Sequence, residues 1–142
     1  MKVKEIMSSP VETINSDEMI TKAAEKMKSL DVGVLPVMKR DKIVGVITDR
    51  DIVVRVIAEK LNPQNNPVSK AMTTDIVCCS EDMDMEDAAK MMEDKQVHRL
   101  LVLGNDNTIS GILSISDIAK KMHDEHLLYE VLEKICEPAH AY

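Results

Sequence analysis

Two short stretches place a hydroxyl and a carboxylate at the same spacing. Thr48-Asp49-Arg50-Asp51 and Ser114-Ile115-Ser116-Asp117 both read [ST]-x-x-Asp, and each follows a glycine and two aliphatics, Gly45-Val46-Ile47 and Gly111-Ile112-Leu113. An apolar run closing on a hydroxyl residue predicts a strand that turns into a helix. A helix start offers unpaired N–H donors and a positive dipole end, which suits phosphate. Asp51 or Asp117, one turn in, can accept hydrogen bonds from two adjacent ribose hydroxyls. The hydroxyl of Thr48 or Ser114 can reach a ribose or phosphate oxygen. The plainer chemistry is capping, in which the same two side chains satisfy the first helical N–H groups and contribute about 1 kcal/mol. For an isolated match capping is the stronger reading.

The match is not isolated, because the whole first half of the chain is echoed by the second. Met7 falls on Met72, Ala23-Ala24 on Ala88-Ala89, Met27 on Met92 and Val37 on Val102, all at an offset of 65 residues. Beyond Val102 the offset becomes 66, so one residue has entered at Gly104-Asn105-Asp106-Asn107, opposite Lys39-Arg40-Asp41. Both stretches read as hairpin turns, where extra length costs little. Such internal repetition asks what a pair of units makes together.

The hydrophobic period changes in the same order in each half. A short apolar piece (11–14, then 76–79) precedes a helix with Ile20, Ala23, Ala24, Met27 and Leu30 on one face, repeated as Met85, Ala88, Ala89 and Met92. Asn15 with Glu18 resembles an N-cap and its reciprocal partner. Two aliphatic strands follow (about 33–37 with 42–48, and 99–103 with 108–113), then a helix over about 49–60 and another from Ile115 that continues towards Ile135. Each unit is therefore β-α-β-β-α, an α/β (α+β) class. Neither unit buries both faces of three short strands alone, whereas two packed sheet to sheet can. The expected layout is unit one over 1–60, a Pro/Asn-rich linker over 61–70, unit two over 71–122 and a helical tail over 123–142. Aliphatic positions such as Val34 and Pro36 supply walls for a flat base. The backbone of the short first strands, at Ile14 and Val77, can read an adenine edge.

Composition narrows the partners. The formal charge of −7 disfavours nucleic acid or an anionic membrane, since phosphate contacts need a basic footprint. Aromatics are 1% of the chain, which removes stacking platforms for single strands. There is no apolar run of membrane-spanning length and no signal-peptide core. Cys78, Cys79 and Cys136, odd in number and without framework spacing, point to reduced thiols in a cytoplasm.

The two units, each closing on Gly-h-h-[ST]-x-x-Asp, resemble a tandem pair of CBS domains, the modules named after cystathionine β-synthase. The likeness runs from about Lys4 to Met122. Met7-Ser8-Ser9-Pro10-Val11 and Met72-Thr73-Thr74-Asp75-Ile76 resemble the family's opening, Val32-Gly33-Val34-Leu35-Pro36-Val37 its central strand, and 48–52 its closing motif. The resemblance implies a Bateman module with pseudo-twofold symmetry, two clefts and an adenosyl ligand: AMP, ADP or ATP, with S-adenosylmethionine or NAD as further options. It implies no obligatory cofactor, no catalysis and frequent association into a homodimer. It also implies that Asp51 and Asp117 are the ribose ligands, with Thr48 and Ser114 beside them. His98-Arg99-Leu100-Leu101-Val102 resembles the strand whose basic pair faces phosphate, with Leu101 where the family often has proline. Gly33 and Val34 occupy the matching positions of the first unit, so the two clefts differ, and Arg50 can add charge to the first. Against this, Arg50 and Arg99 could pair with nearby acids, and His98 could be a neutral strand histidine.

Weaker signals remain. His123 and His126, with Cys136 and His140 beyond, have a spacing that can meet a metal, yet a solvated helix face explains it better. Met19, Met27, Met91 and Met92 read as packing. Leu127, Leu128, Val131, Leu132 and Ile135 form an apolar face that must be covered by this unit or by another subunit. The expected function is a regulatory adenine-nucleotide sensor acting on a separate effector protein. Its competitor is a ligand-free interaction scaffold of the same fold. An enzyme is disfavoured by the lack of a nucleophile–base pair and of a Gly-rich phosphate loop.

Overall fold

The structure is a computed structural model that describes residues 1–136. Its elements run α1 (Val3–Ile6), β1 (Ile14–Asn15), α2 (Ile20–Leu30), β2 (Val34–Lys39), β3 (Lys42–Thr48), α3 (Asp49–Asp51), β4 (Cys78–Ser80), α4 (Met85–Lys95), β5 (Arg99–Leu103), β6 (Ile109–Ser114), α5 (Ile115–Asp117) and α6 (Glu125–Ile135). α3 runs on as a wider π-helical stretch (Ile52–Ile57), and so does α5 (Ile118–Met122). The result is an α+β chain with two three-stranded mixed sheets, β1-β2-β3 and β4-β5-β6. In each sheet the outer pair is parallel and the hairpin antiparallel.

Two compact units form, and they cut across the sequence repeat. One holds Glu12–Ile76; the other joins Met1–Val11 to residues 77–142. The opening arm of the first repeat thus packs in the unit built from the second, rather than with residues 12–60 as the repeat boundaries predict. Burial is the reason: Val3 and Ile6 lie within the apolar cluster of Met85, Met92, Leu100, Leu113 and Ile118. Lys2 and Lys4 fasten the arm through ion pairs of 2.8 Å to Asp84 and 2.9 Å to Asp82. The unit 12–76 has its own core, in which Ile20, Leu35, Val37, Ile47, Val56 and Val68 are fully or almost fully buried.

Several local expectations change. The first strands are shorter and later than their apolar runs, starting at Ile14 and Cys78. Asn15 does not cap α2; its Oδ1 accepts from the Asp17 amide in a local turn. The N-cap residue of α2 is Met19, and the linker supplies the acceptors: the Ile20 and Thr21 amides donate to the carbonyls of Asn66 and Pro63. Segment 61–67 therefore satisfies orphan donors as well as connecting units. Ala24 and Leu30 are exposed rather than on the packed face of α2. Met19 is also exposed, while Met27 and Met92 are buried. The hairpin at Arg40-Asp41 is tight, with φ of 51° and 65°, the doubly left-handed geometry that matches strand twist.

The helix after β6 does not continue to Ile135. His123 takes a left-handed φ of 57° and ends it, and Asp124 starts α6 by accepting from the Leu127 amide at 3.0 Å. α6 then folds back on its own unit, with Val131 and Ile135 buried and Leu127 and Leu128 packed alongside. Cys79 is buried in the same cluster, and Cys78 is half-buried. Glu137 to Tyr142, including His140, lie outside the described residues.

Candidate ligand-binding corners

The paired motifs form two strand-to-helix corners of one design. β3 ends at Thr48 and β6 at Ser114, each with extended backbone, and the next residue begins a helix. The Asp51 amide donates to Thr48 Oγ1 at 3.0 Å, while the Thr48 amide donates to Asp51 Oδ2 at 3.0 Å. At the other corner the Asp117 amide donates to Ser114 Oγ at 3.2 Å and the Ser114 amide to Asp117 Oδ2 at 3.0 Å. Both are reciprocal capping boxes. Both carboxylates are buried, at 6% exposure each, so the capping chemistry is realised in full.

Each corner is tied to the strand beside it. The Asp49 amide donates to the Gly33 carbonyl at 3.0 Å, and the Ile115 amide donates to the His98 carbonyl at 3.2 Å. Gly33 and His98, equivalent in the repeat, are therefore the neighbours of the two helix starts. A Cβ on Gly33 would come within 2.9 Å of an Asp49 carboxylate oxygen. His98 and Arg99 are both exposed at the head of β5. Their side chains, like that of Arg50, engage no hydrogen bond or ion pair among the described residues. The pairing with nearby acids that could have absorbed both arginines is absent there.

A second layer escaped the sequence. Each aspartate also accepts from a hydroxyl on an opening arm. Ser8 Oγ donates to Asp117 Oδ1 at 2.8 Å, and Thr73 Oγ1 lies 3.1 and 3.2 Å from the two oxygens of Asp51. Four residues beyond each aspartate stands a cation: Lys121 Nζ is 3.3 Å from Asp117, and Arg55 Nε is 3.9 Å from Asp51. These cations also hold the arms, Lys121 through the Ile6 carbonyl at 3.0 Å and Arg55 through the Met72 carbonyl at 2.8 Å. The motif glycines serve this crossing. A Cβ on Gly45 would meet the Thr73 carbonyl at 2.5 Å, and one on Gly111 would meet the Ser8 carbonyl at 2.8 Å. The signal was in the chain, since Ser8 and Thr73 are equivalent repeat positions, but only spatial proximity links them to the aspartates.

The wall residues divide. Val34 and Val77 are half-buried, whereas Ile14 and Pro36 are buried, Ile14 within the core of its unit. Ile14 can therefore meet a ligand only through its backbone. The Val77 carbonyl already accepts from the Leu101 amide at 3.1 Å. His123 ends a helix, and His126 Nε2 sits 3.1 Å from Glu130.

The CBS domain family profile matches residues 3–58 and again 68–124. The chain belongs to the CBS domain family. The matched ranges follow the repeat, and both CBS motifs carry the capping box described above. Among curated proteins, the CBS domain-containing protein YhcV of Bacillus subtilis is 36% identical, over 82% of this chain and 82% of its own. Inosine-5'-monophosphate dehydrogenase of Methanocaldococcus jannaschii is 34% identical over 84% of this chain, a stretch that makes up only 23% of the enzyme. Among solved structures, the CBS domain pair of protein MJ0100 in complex with 5-methylthioadenosine and S-adenosyl-L-methionine aligns with a TM-score of 0.73. That alignment has 26% identity over 84% of this chain and 93% of the other. This chain is thus a CBS pair of the regulatory kind, and no helix among its described residues is long and apolar enough to cross a membrane.

Proposed function

We propose that this CBS pair is a non-catalytic cytoplasmic sensor of an adenosyl nucleotide, AMP, ADP or ATP, with S-adenosylmethionine or NAD as the alternatives. Asp51 and Asp117 take ribose hydroxyls, and Thr48 and Ser114 stand beside them. His98 and Arg99 take phosphate, with Arg50 adding charge at the other corner. Val34 and Pro36 flank the base, and the backbone at Ile14 and Val77 reads its edge. One observation carries the reading: the corner is built twice, and the side chains of His98, Arg99 and Arg50 beside it engage no hydrogen bond or ion pair among the described residues. The adenosyl complex of a similar CBS pair supports the ligand class. Binding would act by population shift, since a ligand changes an equilibrium only through its differential affinity for the two states. An effector protein would read the result. Homodimerisation fits the exposed Val53, Val54 and Ile57 after α3.

Calorimetry with AMP, ADP, ATP, NAD and S-adenosylmethionine, beside mass spectrometry of nucleotide released from the purified protein, tests this reading. Arg99→Ala is expected to weaken the phosphate-bearing ligands by roughly tenfold, because a charge-assisted hydrogen bond contributes about 1.5–3 kcal/mol, and to leave S-adenosylmethionine nearly unchanged. No heat with any of the five for the wild type would refute it. That outcome would favour the ligand-free scaffold, to which the burial of both aspartates lends support.

A further inference from the structure

We propose that Ser8 and Thr73 are latches on the ribose-binding aspartates, set by the opening arms, and that a vicinal diol must displace them to bind. The inference rests on the adenosyl reading above. A carboxylate has about four acceptor positions. At Asp117 all are taken: Oδ1 by Ser8 Oγ (2.8 Å) and Lys121 Nζ (3.3 Å), Oδ2 by the Ser114 amide and Ser114 Oγ, both at 3.0 Å. Three of these come from the helix that begins at Ile115 and from its N-cap Ser114, and moving the Ser114 pair would uncap it. Ser8 is the exception. It comes from the arm, 109 residues away in sequence, and is itself exposed. Rotation of one side chain into solvent would therefore free one acceptor position on Oδ1, which a hydroxyl of the diol can take while Lys121 stays in place. The arm need not leave, because Lys121 holds the Ile6 carbonyl and the Ser8 amide and carbonyl pair with Ile112.

Asp51 repeats the plan with looser geometry. Thr73 Oγ1 is shared between both oxygens at 3.1 and 3.2 Å, Arg55 stands off at 3.9 Å, and Thr48 makes no hydroxyl bond to the carboxylate. The arm is held independently, by Arg55 on the Met72 carbonyl and by paired bonds between Thr73 and Val46. A shorter, unshared bond to an ionised acceptor is the stronger one. The Ser8 latch therefore holds more tightly than the Thr73 latch, and ligand enters the Asp51 corner first. Each latch comes from the repeat that does not own the aspartate, so occupancy at one motif is felt by the other repeat's arm.

The test is calorimetry with AMP and S-adenosylmethionine on wild type, Ser8→Ala, Thr73→Val, and the conservative Ser8→Thr and Thr73→Ser, each first shown by circular dichroism to be folded. Removing the competing hydroxyl is expected to tighten binding, by about tenfold for Ser8→Ala and by less for Thr73→Val, with the conservative pair restoring wild-type affinity. If the wild type binds and neither Ser8→Ala nor Thr73→Val binds more tightly, the latch is overturned and the adenosyl reading stands. If no variant and no wild type binds either ligand, both fall together.

Discussion

Asp51 and Asp117 carry two duties that a linear motif cannot separate. Each closes a capping box, and each is fastened by a hydroxyl and a cation around the arm that crosses it. The spacing [ST]-x-x-Asp was sufficient to read the first duty, because capping is local. The second depends on residues that meet only after folding. Cysteine behaviour is a separate matter of burial. Desolvation pushes the Cys79 thiol up from 9.0 to about 11, and raises Cys78 as well. The folded state therefore keeps a proton on Cys79 that the unfolded chain releases above pH 9. That contribution to stability is complete below pH 9 and is lost as pH rises towards 11. Denaturant titrations between pH 8 and 11 should show a falling midpoint that Cys79→Ala flattens. At pH 7.5 a thiol reagent should label exposed Cys136 first and Cys79 last, and rapid labelling of Cys79 would contradict its burial.

At the scale of elements, α6 is the addition that distinguishes the second unit. Its apolar spacing forecast a covered face, and the fold covers Leu127, Leu128, Val131 and Ile135 with α4 and the core of the same unit but leaves Leu132 exposed. What spacing could not forecast was the break at His123, where a non-glycine residue takes a left-handed φ. Ile135→Ala, at 3% exposure, should cost about 2–5 kcal/mol in chemical denaturation. A cost below ~0.5 kcal/mol would mean that the helix end does not pack as described. The linker offers a similar lesson. Its prolines and asparagines were legible as a helix breaker, but its carbonyls serve as acceptors for the first turn of α2, a role set by where the chain returns.

For the whole molecule, the exchange of arms is the feature with the widest consequence. Met1–Val11 completes the unit of residues 77–142, while the second repeat's opening, ending at Ile76, completes the other unit. Removing residues 1–8 should lower amide-exchange protection across β4, β5, β6 and α4, because Val3 and Ile6 leave the core. Protection of β2 and β3 should be largely retained. A uniform loss over both units would argue that the two do not open separately. The ion pairs that fasten the arm are exposed and add little. The Lys2 ammonium holds the Asp84 carboxyl below its ordinary range, so their contribution is present above the usual carboxylate pKa and fades as pH falls through the lowered one.

The sequence by itself determined the duplication, the β-α-β-β-α order and the capping corners. Periodicity and turn chemistry are written along the chain, and a repeat makes each unit a check on the other. Tertiary structure alone decided which arm completes which unit, why a glycine must precede each motif, and which groups stand on Asp51 and Asp117. Those facts depend on backbone segments far apart in sequence brought within a few ångströms by the burial of Val3, Ile6, Val68 and Ala71, and no local pattern encodes that meeting.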